Sequence, residues 1–225
     1  MLFDLRSRGR RRTVQAVYLG LALLMGGGLV LFGVGAGNGV GGLLNAFTGG
    51  GSNNQTQVSS QQEKQALRQT QLTPNDPSAW AALVQAQWTA AGQGSNYNSS
   101  NSTFTASGKQ ELQKMAQSWN RYLQLTNNPD PNTAILAARG LAQIGNFSGA
   151  ANAWEINAAA NPASARGYEC LEASAYAANQ TRKGDLATAK ALTLVPKLQR
   201  ATTQKALQTA KTSSQTAQAI AQQEC

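Results

Sequence analysis

Glu169 and Glu172 stand three positions apart in the stretch ARGYECLEASAYA, a spacing that sets both carboxylates on one face of a helix. Such a pair is the nearest approach in this sequence to general acid–base chemistry. The rest of a catalytic inventory is missing. With no histidine in 225 residues, neither a Cys–His nucleophile nor a histidine-containing zinc framework is available. Asp76, Asp130 and Asp185 adjoin proline or glycine, where a short carboxylate caps a helix or shapes a turn. Glu111 and Glu155 lie on helical stretches without a nucleophile beside them. Glu169 and Glu172 therefore read as a solvated helix face. The expectation is a protein that is not an enzyme, with no catalytic, metal or cofactor-binding residue.

The N-terminal region positions everything else. Arg6, Arg8, Arg10, Arg11 and Arg12 precede a segment in which no charged residue occurs before Glu63. Val14–Val34 is an apolar run of 21 residues, about 31 Å at helical rise and close to the ~30 Å hydrocarbon core of a bilayer. The expectation is a basic cytoplasmic tail (1–12), a transmembrane helix in contact with the lipid bilayer (13–36), a flexible Gly/Ser/Asn-rich linker (37–58) and an external domain (59–225). Arginines before the span and none just after it place the N-terminus inside, making this a single-pass protein of the cell membrane. Val34-Gly35-Ala36 has the form of a signal-peptidase site, but the apolar run exceeds the 7–15 residues of a cleavable signal. Gly37-Asn38-Gly39-Val40-Gly41-Gly42 formally matches GxGxxG. It lacks the preceding strand, the following helix and the later acid of a dinucleotide site, and reads as the start of the linker.

Of 19 Lys and Arg against 10 Asp and Glu, five belong to the N-terminal tail. Arg182, Lys183, Lys190, Lys197, Arg200, Lys205 and Lys211 concentrate the remaining excess near the end of the sequence. A solvated helix face accounts for them, with an anionic envelope polymer as the alternative ligand. No nucleic acid is expected, because this stretch carries no aromatic side chain on which a base could stack.

Beyond residue 58 the apolar residues recur at helical spacing, and the external domain is expected to be all-α. Asn75-Asp76-Pro77, Asn128-Pro129-Asp130-Pro131 and Ala160-Asn161-Pro162 each pair a capping side chain with proline in the first turn of a helix. Pro129 to Pro162 is 33 residues, and between them lie Leu141, Gly145-Asn146-Phe147, Ala150 and Trp154.

This unit resembles a tetratricopeptide repeat, a helix–turn–helix of 34 residues closed by proline. Trp80, Leu83, Trp119 and Tyr122 supply core positions in a preceding unit, and Tyr168, Leu171 and Ala175 in a following one. With its arginine-rich tail, apolar span and glycine-rich linker, the chain looks like the small membrane-anchored repeat proteins of actinobacteria. The resemblance implies an antiparallel helix-pair solenoid with repeats at 77–130, 131–164 and 165–196. The first would carry an inserted loop, 92–108, and the third extra residues, Asn179 to Lys183, before a Gly184-Asp185 turn. Residues 59–72 would form a lone second helix, and 197–222 a polar capping helix. It also implies a concave face of first helices bearing Gln85, Trp88, Asn132, Arg139, Gln143, Arg166, Glu169 and Tyr176. That face would bind a protein or peptide partner, making the chain a tethered scaffold or adaptor. Trp80, Trp119 and Trp154 belong to the core.

Cys170 and Cys225 both fall outside the membrane, where a disulfide persists. A capping helix running unbroken over 197–222 is about 39 Å long and would carry Cys225 past Cys170, so a bond and two separate thiols both stay open. For the topology, protease added to intact cells should digest the repeats and spare the N-terminal tail. A soluble mature protein beginning near Gly37 would overturn the anchor.

Overall fold

The computed structural model describes the backbone from Asn53 and the side chains from Val58. The basic tail, the span at 13–36 and most of the linker lie outside the described residues. No helix among those described is long and apolar enough to cross a membrane.

Helix α1 (Asn53–Leu72) takes up the last six residues of the expected linker. It is followed by α2 (Pro77–Ala91), a two-stranded hairpin of β1 (Tyr97–Asn98) and β2 (Thr103–Phe104), α3 (Ala106–Leu125), α4 (Pro131–Gln143) and α5 (Phe147–Ala160). Then come α6 (Ala165–Ala177), α7 (Thr181–Leu194), α8 (Arg200–Thr212) and α9 (Ser214–Gln223). Consecutive helices pack as the pairs α2–α3, α4–α5 and α6–α7, and α4 and α6 each pack on the pair before them. The described fold is all-helical apart from the hairpin.

Two of the three expected Asp/Asn–Pro starts cap as the sequence dictates. Asp76 accepts from the Ser78 amide at 2.9 Å and Asp130 from the Thr133 amide at 2.7 Å, each with proline as the first helical residue. The third does not. Asn161 and Pro162 precede a turn, and α6 starts at Ala165 behind Ser164, with the Asn161 side-chain amide donating back to the Asn157 carbonyl.

The repeat is expressed most clearly in two turns. After α4, the Asn146 amide reaches back to the Leu141 carbonyl at 2.8 Å around Gly145 at φ 79°. After α6, the Gln180 amide reaches the Ala175 carbonyl at 2.8 Å around Asn179 at φ 59°. Each residue in the second turn lies 34 positions after its counterpart in the first. Both are helix ends closed by a left-handed residue, a conformation asparagine tolerates better than other side chains. This corrects the expected register. Asn179–Lys183 are no insertion, and Gly184-Asp185 lies inside α7, where Gly184 leaves room for the Tyr176 ring.

The core is built from small residues. Ala134, Ala137, Ala138, Ala142, Ala150, Ala151 and Ala153 are fully buried, and the larger Leu112, Met115, Trp119, Leu141 and Trp154 fill the spaces between helices. Gly140 belongs to this scheme, since a methyl there would collide with the Met115 side chain. Trp119 and Trp154 are buried, while Trp80 is partly exposed and donates its indole N–H to the Pro74 carbonyl at 2.9 Å. Polar contacts attach α1: Glu63 faces Glu111, Lys114 and Gln87, and burial followed by the Glu111 charge raises its pKa. Gln87 in turn accepts from the Ser118 hydroxyl at 2.8 Å in a buried contact.

The segment expected as a loop at 92–108 is a packed hairpin. Phe104 lies 5.2 Å from Tyr97 and 5.9 Å from Trp88, ring centroid to centroid, so the insertion lays an aromatic cluster on α2. Its last residues belong to α3, whose cap Thr105 donates its hydroxyl to the Ser95 carbonyl. Gly108 is buried where a Cβ would overlap the Asn96 carbonyl oxygen, a backbone atom. Gly108→Ala should therefore cost about 1–3 kcal/mol in urea unfolding. Gly92→Ala, whose new Cβ meets only ordinary contacts, should shift stability by no more than about 0.5 kcal/mol. Equal effects of the two changes would refute this account of the hairpin.

Candidate functional site

The expected capping helix over 197–222 is two helices. Lys197–Gln199 form a 3-10 turn, and the chain breaks again at Ser213, which is extended (φ −141°, ψ 110°) and accepts from the Thr216 amide to cap α9. Serine competes well for a helix N-terminus and poorly for a helix interior, so the pair Ser213-Ser214 favours a restart. The break turns the chain back. Helix α8 packs on α6 and α7, and α9 lies on α6 and α4, the first helices of their pairs.

The face assigned to a partner thus carries the chain's own last helix. Ala217 and Ala221, one turn apart, are buried there, and Ile220 packs beside them. At the end of α9, Arg139 Nε donates to the Cys225 carbonyl at 2.7 Å, and Gln143 Nε2 donates to the Gln222 carbonyl at 2.6 Å. The Gln222 side chain answers by donating to the Ala142 carbonyl at 3.0 Å. The last carbonyls of a helix lack partners within it; α4 supplies one for Gln222 through Gln143, and Arg139 holds the Cys225 carbonyl just beyond the helix end. Cys225 is also bonded to Cys170 on α6, with α-carbons 5.6 Å apart. The overshoot that weighed against this bond assumed one straight helix, and the turn at Ser213 removes it.

Of the eight residues placed on the concave face, Arg139 and Gln143 meet α9. Arg166 and Glu169 form an i,i+3 ion pair at 3.9 Å, and Asn132 and Gln85 are exposed. Trp88 and Tyr176 are corrections. Trp88 packs against Phe104 of the hairpin. Tyr176 is buried, its ring over Gly184 and its hydroxyl donating to Asp185 at 2.7 Å, so it belongs to the α6–α7 contact. Asp185 also binds Lys211 of α8 at 2.6 Å, and these two partners hold its carboxyl below the ordinary range. Burial pushes the Tyr176 hydroxyl up to about 12. Tyr176, Asp185 and Lys211 together fix α8 against the last pair.

Glu172 is the other correction. Far from a solvated face, it is only 1% exposed, and burial pushes its carboxyl up to about 8 against the opposing effect of the Thr188 hydroxyl. Its Oε1 has no hydrogen-bond partner among the described residues. Glu169, less buried, adds a repulsive charge but no converging group. No cluster of three or more His, Cys, Asp or Glu suited to a metal ion occurs among the described residues. Within the basic stretch, Lys183 is engaged by Glu155 at 2.7 Å and by Asn152, Lys211 by Asp185, and Lys190 lies 5.9 Å from the Tyr168 ring centroid. Arg200 donates to the Val195 and Thr193 carbonyls.

No protein-family model matches the sequence, and no curated protein or solved structure matches it significantly.

Sequence reasoning missed α9 as the occupant of the face. The available signals were Ser213-Ser214 as a restart and the spacing of Ala217, Ile220 and Ala221 as a buried stripe. Glu172 gives a further measurable consequence. Folded, it holds its proton up to about pH 8; unfolded, it loses it near 4.5. The stability it allows is complete below pH 4.5 and declines as pH rises through about 8, with a slope of at most about 1.4 kcal/mol per pH unit. Glu172→Gln should flatten this decline in denaturant unfolding measured across that range. Parallel pH profiles for the two proteins would contradict the assignment.

Proposed function

We propose that the chain is a membrane-tethered, extracytoplasmic helical-repeat adaptor whose first-helix face binds a protein or peptide partner in helical form. The finer architecture that goes with this reading is a single span at 13–36 followed by a tetratricopeptide-like solenoid. Support for the solenoid comes from the two helix-ending turns repeated 34 residues apart, around Gly145 and Asn179. The observation that carries the binding role is the seating of α9 across α4 and α6. A surface that receives one helix by close apolar contact, and holds carbonyls at and just past its C-terminal end through Gln143 and Arg139, has the chemistry to receive another. The rival reading, a basic patch for an anionic envelope polymer, is weakened because Lys183 and Lys211 are already engaged by acids. An enzymatic reading would rest on Glu169 and Glu172, and the second of these is enclosed.

The test is a photo-crosslinking amino acid placed singly at Asn132, Arg166 or Glu155 in protein kept in its native membrane. Asn132 and Arg166 are exposed at the starts of α4 and α6, whereas Glu155 lies on α5 and pairs with Lys183. After treatment with a small dithiol, which frees α9 from its bond to Cys170, a discrete adduct through 132 and 166, and none through 155, is the expected result. Adducts formed equally well from 155 would remove the basis for this face.

A further inference from the structure

The face that the adaptor reading gives to a partner is closed by a covalent bond. Helix α9 buries two alanines, is met at its end by two side-chain donors, and is joined to the floor of the face through Cys170–Cys225. The two sulfur-bearing residues differ in access. Cys170 is fully buried on α6, and Cys225 is partly exposed. On the other side of α9 the connection to α8 is one extended residue, Ser213. Helix α8 is separately secured by Lys211 to Asp185. The tail therefore has a fixed arm, a pivot and a single covalent catch.

We infer that α9 is a disulfide-latched occupant of the partner's own seat, and that reduction of Cys170–Cys225 opens the α4–α6 face to a partner helix of the same kind. This rests on the adaptor reading. The recognition chemistry defines the partner class: a short helix with alanine or another small residue at i and i+4, ending so that a carbonyl of its last turn reaches Gln143 and one just past its end reaches Arg139. Larger residues at those positions would hold the helix off the alanine-lined floor.

The reductant is a protein dithiol. One of its thiolates attacks the accessible Cys225 sulfur, forming a mixed disulfide and expelling the Cys170 sulfur as a thiolate, which takes a proton. The second thiol of the reductant, deprotonated, attacks its neighbour in the mixed disulfide and releases the Cys225 thiolate, which is protonated in turn. Two electrons pass to the chain, two thiols result, and the reductant leaves as its own disulfide.

The experiment uses the full chain in lipid nanodiscs. Hydrogen exchange is followed at residues 214–223 before and after treatment with a small dithiol. The expected result is at least tenfold faster exchange in α9, with α4 and α5 unchanged. Unchanged exchange in α9 would overturn the latch, as would loss of protection throughout the domain, which would make the bond a general staple. A separate measurement addresses the seat. A fluorescent peptide of residues 213–225 with Cys225→Ser is titrated against the oxidised chain and against a chain carrying Ala217→Asp, Ala221→Asp and Cys225→Ser, in which buried carboxylates expel α9. At least tenfold tighter binding to the expelled-tail chain supports the inference. An expelled-tail chain that binds no peptide would overturn the adaptor reading itself, whatever the exchange data show for the latch.

Discussion

Close approach between alanine-lined helix faces is the interaction on which the rest of this structure depends. An alanine buries little apolar surface, so each contact contributes modestly, and the contribution is realised only when backbones come close enough to leave no void. The buried set runs from Ala79 on α2 to Ala221 on α9. It explains why glycines matter where they do: Gly140 admits the Met115 side chain, and Gly184 admits the Tyr176 ring. The few large residues, Trp119 and Trp154 among them, fill the spaces that small side chains cannot. A stack of this kind is sensitive to its open end, because an uncovered alanine face loses much of its benefit to water.

The C-terminal arm answers that sensitivity. Helix α8 covers the last pair, and α9 covers the first-helix side of α4 and α6. The Cys170–Cys225 bond spans a sequence separation of 55, and a loop of that size is worth about 4 kcal/mol in the chain-entropy account. Set against the 5–15 kcal/mol by which ordinary domains are stable, that is a substantial fraction. The arm thus serves the core and the α4–α6 face together, and its loss would be felt by both.

What the sequence made legible were the features set by local chemistry. Asp76-Pro77 and Asp130-Pro131 declare helix starts because cap and proline act within one turn, and the starts of α2 and α4 fall there. The same logic misled at Asn161-Pro162, where the asparagine side chain bonds to the preceding helix instead. The register of the third pair is hidden in the sequence because its glycine stands at 184, inside α7, while the left-handed turn is made by Asn179. The site was half legible. Arg139 and Gln143 were placed by register alone, yet what they bind depends on a change of direction at Ser213 that no periodicity records. Trp88 and Tyr176 were misplaced for a related reason, since a hairpin and a neighbouring helix claim them through contacts distant from their own turns. The charge of Glu172 is the usual mark of a surface and hides its position; its burial follows from α6 being enclosed along most of its length.

The turn at Lys197–Gln199 bears on how the chain tolerates damage. Leu198 is 97% exposed between Lys197 and Arg200, which offers a trypsin-like protease accessible backbone flanked by basic residues. The turn also lies between the two bonded cysteines. A cut there would sever the polypeptide without separating it: α8 and α9 would stay joined to the N-terminal piece through Cys170–Cys225, and the molecule would keep its mass until reduced. The covalent ring formed by this bond thus makes peptide continuity and molecular integrity two different properties of the same chain.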